Sequence, residues 1–123
     1  MLDTDVILKR FDNPDELGTF DKGIFELIEV GGIPIGRATN QPGWRWSEDV
    51  GAAIGELHCH VEHLGMVISG CAAAAMANGE IVEIHPGDLF YVPPSPHDSW
   101  VIGDEPYVSL HFMGAAGYAK KGE

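Results

Sequence analysis

Four histidines in this chain stand at spacings that suit a shared metal ion. His58, His60 and His63 fall within six residues, and His97 follows a proline-rich turn further along the chain. The imidazole ring is a borderline-soft ligand that suits zinc, iron, nickel and copper. One isolated histidine is usually a packed or a surface side chain, whereas this concentration favours a common role. We predict that the four side chains bind one divalent transition metal: iron, zinc, nickel or manganese.

The first two of these histidines lie on a stretch with the period of a β-strand. Polar and apolar residues alternate over 56–61, which places His58 and His60 on one face and Cys59 on the other. Two strand residues separated by one position point in the same direction and can share an ion. His63 is out of phase with this pair, so we expect a turn or a bulge just before it to bring it back.

Other polar side chains near these positions are less suited to bind the metal. Glu62 is either a carboxylate ligand or a solvated side chain, and Asp98 should point away from the face that carries His97. His85 precedes a turn, where we expect it to be exposed. His111 stands on a core-like strand, where it could hydrogen-bond into the site rather than bind the metal.

The composition predicts that an all-β protein carries these residues. A chain of 123 residues is long enough for one hydrophobic core, so we expect a single domain over residues 1–123. Sixteen glycines and eight prolines indicate many short elements joined by tight turns. About nine or ten short strands at intervals of roughly eight to twelve residues imply a sandwich or a barrel.

Glycine turns predict two hairpins within this fold. The first joins residues 24–30 to 33–39 through two glycines, and the second joins 71–77 to 80–85 through an Asn-Gly turn. The second pairing overrules the helix preference of four consecutive alanines, because too few residues separate the flanking glycines. We also predict a first strand at residues 6–8.

Helix is expected only as one short turn near the N-terminus. Asn13 could cap it, Pro14 suits its first position and Glu16 could reach back to the cap, while Gly18 would end it. Residues 47–55 are polar and rich in glycine and alanine, which predicts a loop.

Trp44 and Trp46 are separated by one residue, so a strand would place both indoles on one face. Packing in the core or at a subunit interface is the first interpretation of such a pair. The alternative is that one indole forms the wall of a ligand pocket, and the spacing alone leaves both roles open.

The charge balance argues against several classes of partner. Nineteen acidic and seven basic side chains give a formal net charge of −12. This charge repels phosphate backbones and anionic lipid surfaces, so we expect no nucleic-acid partner and no membrane association. No apolar stretch reaches the length of a membrane span. Two cysteines and no leader-like segment favour a reducing, cytoplasmic setting.

The region around the histidines resembles the two sequence motifs of the cupin superfamily. The resemblance extends over about residues 51–102, and its specific part is Pro86-Gly87-Asp88 together with Pro93-Pro94 and His97, preceded by Gly70 and Gly79. Gly36-Arg37-Ala38, residues 42–46 and residues 103–106 are similar to small single-domain cupins, some of which are fused to cyclase domains.

The first motif departs from the usual cupin pattern, because His63 stands where cupins normally carry glutamate. Two registers are therefore open. One takes His60 as the partner of His63, and the other makes Glu56 and His58 the preceding pair. His63 and His97 belong to both registers, while His58 and His60 compete for the remaining position.

Similarity to cupins implies a double-stranded β-helix, a small jelly roll with the site inside the barrel mouth. It also implies a homodimer, formed through the N-terminal strands and the tryptophans. An all-histidine site would keep the full charge of the metal, which favours small chelating or anionic substrates. We expect a metal-binding cupin with dioxygenase-like or isomerase- or lyase-like activity. The alternative is a non-catalytic protein that binds or senses a small ligand.

Overall fold

The computed structural model describes residues 5–116 and contains nine strands and one short helical segment over that range. The strands are β1 (Glu16–Phe20), β2 (Gly23–Val30), β3 (Ile33–Asn40), β4 (His63–Ser69), β5 (Cys71–Met76), β6 (Ile81–Ile84), β7 (Leu89–Val92), β8 (His97–Ile102) and β9 (Tyr107–Met113). The helical segment has a π-helical part at Ser47–Gly51 and an α-helical part, α1, at Ala52–Ile54. Within the described residues no helix has the length and apolar character that a membrane crossing needs.

Two antiparallel sheets make up the fold. The larger sheet has the order β1-β2-β3-β9-β4-β7, and the smaller has the order β6-β5-β8. The last strand β9 lies between β3 and β4, so the chain crosses between the sheets as in a jelly roll. The predicted all-β fold is confirmed, and both predicted hairpins are present as the pairs β2–β3 and β5–β6.

The core lies between the sheets and contains the strand residues that point inward. Val67 of β4 and Tyr107 of β9 pack against Ala72 of β5, together with both Trp44 and Trp46. The two indoles are only 3% and 4% exposed. The core-packing interpretation of this pair is therefore correct, and neither indole offers surface to a second subunit.

Helix forms at a different place from the one the sequence predicts. Residues 10–13 make a single turn closed by the Asn13 amide and the Arg10 carbonyl, and Glu16 already begins β1. The helical segment instead occupies residues 47–54, which were predicted as loop. Asp49 in its first turn accepts the Arg45 amide at 2.8 Å, which ties the start of the segment to the residue before its N-cap.

Two predicted strands do not form strands of either sheet. Residues 6–8 are exposed and unpaired with any sheet, because apolar side chains do not form a strand without a partner edge. Residues 56–61 make only one bridge, in which Cys59 and His97 exchange backbone hydrogen bonds of 2.8 and 3.0 Å. That bridge fixes the segment beside β8 and turns Cys59 inward.

Candidate metal centre

Three buried side chains place ligand atoms close together between the sheets. One ligand atom from each of Cys59, His63 and His97 lies within 4.8 Å of the other two. The Cys59 Sγ and His63 Nε2 atoms are 3.5 Å apart, and the rings of His63 and His97 have centroids 5.5 Å apart. A thiol and two imidazoles at these separations are a donor set that suits a transition metal such as zinc.

Backbone pairing determines where each ligand lies. His63 is the first residue of β4 and is paired with Val92 of β7. His97 is the first residue of β8 and is paired with Met76 of β5, while its bridge to Cys59 brings the thiol alongside. The site therefore draws on both sheets and on the segment before β4.

Burial keeps both imidazoles in the neutral form that binds metals. Desolvation, with help from neighbouring His111 and His97, lowers the pKa of His63 to about 3. Desolvation also lowers the pKa of His97, although a hydrogen bond with the Ser95 carbonyl opposes this. When His97 Nδ1 donates to that carbonyl at 2.8 Å, its Nε2 keeps a lone pair for a ligand bond.

The Cys59 thiol, unlike the two imidazoles, must lose a proton before it can bind a metal. Burial raises its pKa to about 11, so the side chain carries its proton at neutral pH. A metal binds the thiolate, and its own positive charge is what displaces such a proton. The three residues fit a metal, with the loss of one proton as part of binding.

A further imidazole, His111, packs against the His63 ring. Their centroids are 5.4 Å apart, and Ser109 Oγ lies 3.0 Å from His111 Nε2. Desolvation lowers the pKa of His111 to about 4, so this ring is neutral as well. It lies beside His63 on an inward face of β9, and the hydrogen bond into the site that the sequence suggested for it stays a prediction.

A cavity of about 60 Å³ opens beside the ligand group. Trp44 and Trp46 form part of its wall, and alanines 72–74 of β5 leave the space that larger side chains would fill. Asn40 and Ser99 add polar atoms. This volume holds an ion with a few water-sized ligands. The pocket-wall role considered for the tryptophans is thus combined with their role in the core.

The remaining predicted site residues lie outside this group. His58 is half-buried and His60 is exposed, on either side of the inward-facing Cys59. Glu62 accepts a hydrogen bond from Tyr91. His85 is exposed, as expected, between Glu83 and Asp88. The ligand set His58, His60, His63 and His97 stays a prediction, of which the structure brings His63 and His97 together.

Comparison with known proteins identifies the fold. No family model and no curated protein matches the sequence. A sugar phosphate isomerase from a cupin superfamily, from Silicibacter pomeroyi, is 17% identical with a TM-score of 0.54, over 74% of this chain and 58% of that one. An oxalate decarboxylase from Lactobacillus farciminis is 19% identical with a TM-score of 0.57, over 80% of this chain and 30% of that one. The chain has the cupin fold. A protein of unknown function from Rhizobium leguminosarum shares it, at 19% identity and a TM-score of 0.57, over 75% of this chain and 80% of that one.

Within this cupin fold, Cys59 is the candidate ligand that the sequence did not indicate. The alternation over residues 56–61 favours the face that carries the histidines as the metal-facing side. The signal that could have corrected it is that Cys59 shares the apolar face of this stretch with Val61, although Leu57 on the same face is 82% exposed. The apolar face of a strand normally points into a barrel, and a cysteine on that face points in with it.

Asp98, the residue next to His97, holds Arg45 and Ser47 against β8 through its carboxylate. Its carboxylate accepts the Ser47 amide at 2.9 Å, the Ser47 hydroxyl at 2.7 Å and an Arg45 guanidinium N–H at 3.3 Å. Arg45 in turn stacks over Trp100. As predicted, Asp98 points away from the metal face, and there it holds the segment that carries both cavity tryptophans.

Proposed function

We propose that this chain is a metal-binding cupin that holds one transition metal through Cys59, His63 and His97 and presents it to a small ligand in the adjoining cavity. The observation that carries the proposal is the convergence of three buried ligand atoms within 4.8 Å beside that cavity. Both imidazoles are neutral, which supports a metal rather than a proton as their partner.

Among the metals considered, the donor set favours zinc. Thiolate is a soft ligand, whereas manganese prefers oxygen ligands. A metal with three protein ligands and one open position acts as a Lewis acid that polarises a bound oxygen. We therefore favour isomerase- or lyase-like chemistry over oxidation by dioxygen, which would require iron at the same site.

The protein's own contribution to such chemistry lies in three groups. His63 and His97 supply rigid donors from strand ends, and the Ser95 carbonyl fixes the tautomer of His97. The indoles exclude bulk water from the cavity. Ser109 and His111 form a hydrogen-bonded pair at the cavity wall that can hold a proton beside the ligand.

Metal analysis of protein purified without chelator tests the proposal. About one equivalent of metal should be present in the parent protein and should be lost from His63→Ala, His97→Ala and Cys59→Ser. His85→Ala removes an exposed histidine and serves as the matched control, which should keep its metal. Retention by Cys59→Ser with loss from His58→Ala or His60→Ala would instead support the all-histidine set. A parent protein with no bound metal, and no uptake of added zinc, would end the metal proposal.

A non-catalytic ligand-binding protein is the second candidate. No carboxylate is found among the described side chains that line the cavity, so proton transfer in a lyase or isomerase reaction would depend on the buried, neutral His111. Turnover of small thiols, diketones and catechols by the zinc and iron forms separates the two candidates. Saturable binding without turnover would favour the binding role.

We also propose a homodimer that forms through the outer face of β4 and β9. Six apolar side chains point outward there: Leu64, Met66, Ile68, Val108, Leu110 and Phe112. Two copies that each carry a charge of −12 repel one another least where they meet through an uncharged surface. A two-fold axis would place this face against itself.

A reducing, cytoplasmic location is proposed on the state of the cysteines. Cys59 and Cys71 are both free thiols. A metal-binding thiol remains available in a reducing compartment, where disulfides are rare.

A further inference from the structure

A groove of about 340 Å³ between the edge strands β6 and β7 lies directly outside the metal cavity. Ala74, Ile84, Phe90 and Val92 line both the groove and the cavity, so the two spaces adjoin. The groove is much larger than the cavity. A ligand that approached the cavity from this side would meet the side chains of the groove before the metal.

The rim of this groove is acidic. Glu80, Glu83 and Asp88 line it, and all three are exposed. Glu62 stands next to it through its hydrogen bond with Tyr91. His85 lies among them, with ring nitrogens 3.5 Å from Glu83 and 3.9 Å from Asp88.

The cavity itself offers no positive side chain to a ligand. Of the described residues that line the cavity or the groove, none is lysine or arginine. Proteins bind phosphates and second carboxylates with arginine, with lysine or with helix N-termini. Here the ligand would find indoles, alanines and the neutral polar groups of Asn40 and Ser99 around its far end.

The proposed ligand set also makes the site less favourable for anionic ligands. An all-histidine site would keep the full charge of a divalent metal, which is why the sequence predicts anionic substrates. A thiolate from Cys59 cancels one of those charges. The metal then retains enough charge to bind one donor atom, while the acidic rim repels any further negative group.

We propose that the site takes small ligands that are neutral or cationic apart from the atom bound to the metal, and that it rejects ligands with an additional phosphate or carboxylate. This inference rests on the proposed metal function and names the substrate class for it. The wall and the rim act together: the wall gives a second anion no partner, and the rim raises the energy of its approach.

Binding to the cobalt-substituted protein tests the proposal through the visible absorption of the metal. The probes are 2-mercaptoethanol, cysteamine and mercaptoacetate, which present the same thiol with a neutral, a cationic and an anionic far end. Titrations are carried out without oxygen, and the cobalt content is measured again afterwards. We expect mercaptoacetate to bind about tenfold more weakly than 2-mercaptoethanol, and cysteamine to bind at least as tightly.

Two double variants with the same net charge separate the effect of the rim from the intrinsic differences between the probes. Glu80→Gln with Glu83→Gln neutralises the rim, and Asp104→Asn with Glu105→Gln neutralises two exposed carboxylates that line neither space. Both double variants change the net charge from −12 to −10. The ratio of the mercaptoacetate and 2-mercaptoethanol dissociation constants should fall to about threefold only in the rim variant.

The outcomes separate this proposal from the one on which it rests. Cobalt binding with tight capture of mercaptoacetate, at the same ratio in all three proteins, would overturn the charge selectivity and leave the metal site intact. Failure to bind cobalt at all would overturn the metal site and the selectivity together.

Discussion

At the scale of single residues, the centre brings together groups whose protonation states are opposite. The Cys59 thiol and the His63 imidazole lie 3.5 Å apart, yet burial favours the uncharged form of each. Burial holds the proton on the thiol and keeps it off the imidazole. A metal ion needs to displace only the thiol proton, since the neutral imidazole is already able to bind.

Metal binding should therefore release close to one proton per ion at pH 8. The pKa of Cys59 is about 11, so its thiol is protonated there, whereas His63 with a pKa of about 3 has no proton to lose. Apparent affinity should rise up to about tenfold per pH unit between pH 7 and 10. Zinc titration in weakly buffered solution with a pH indicator measures the release.

Cys59→Ser provides the comparison for this measurement, because the hydroxyl keeps the size of the side chain and does not ionise. Proton release should fall close to zero in that variant. Release that persists unchanged would mean that the proton comes from a different group.

The candidate site could be predicted from sequence only where chemistry and local pattern agree. His63 and His97, which the structure brings together, were proposed for their residue type and their positions beside turns. Cys59 was not proposed, because the choice between it and its neighbours depends on which face of residues 56–61 points inward. The bridge to His97, formed through long-range pairing, decides that question.

At the scale of elements, the segment between β3 and β4 is held by side chains rather than by a sheet. Its helical part was not predicted, since its start depends on Asp49 and its contact with β8 depends on Asp98. Hairpins are easier to predict because their turn residues are adjacent in sequence. The β2–β3 and β5–β6 pairs follow from glycine turns, whereas the position of β9 between β3 and β4 follows from packing alone.

Asp98→Ala should lower the free energy of unfolding by about 2 kcal/mol, because it leaves the Ser47 amide and hydroxyl without their partner. Denaturant unfolding followed by circular dichroism measures the loss. Asp104→Ala, in an exposed turn, is the control and should change stability by less than about 0.5 kcal/mol. Equal effects of the two substitutions would show that the Asp98 contacts add no stability.

At the scale of the whole molecule, the interior accommodates uncharged imidazoles and the exterior carries the excess of acid. His63, His97 and His111 are all buried, and burial lowers the pKa of each. An uncharged, apolar area lies on the outer face of β4 and β9. Each arrangement has its own measurable consequence for the metal-free protein.

Stability of the metal-free protein should fall as the pH drops from 6.5 towards 4. The folded-state pKa values of His63 and His111 are about 3 and 4, below the ordinary value of 6.5, so in this window the unfolded chain binds protons that the folded chain does not. The loss should be about 1 kcal/mol per histidine and per pH unit. Urea unfolding at pH 7, 6 and 5 measures it.

His111→Gln should make that pH dependence shallower, because it removes one of the two buried imidazoles that stay unprotonated in the folded chain. An identical slope in the parent protein and in His111→Gln would show that burial of this ring does not control the effect.

Leu64→Glu should convert the proposed dimer to a monomer, because it places a charge on the apolar face that would meet its own copy. Leu64 lies between Tyr91 and Met113 on the outer face and is 37% exposed. Ile33→Glu adds the same charge at an exposed position on β3 and should leave the mass unchanged. Sedimentation velocity measures the mass, and a parent protein that sediments as a monomer at micromolar concentration would exclude the dimer.

The two indoles that line the cavity also give the molecule an intrinsic optical reporter. Trp44 and Trp46 border the cavity that the ligand would enter, whereas Trp100 lies beneath the Arg45 guanidinium on another face. Emission from the first two should respond to whatever fills the cavity, while Trp100 supplies a steady background. Occupancy can thus be followed in unlabelled protein, for metals and ligands that have no colour of their own.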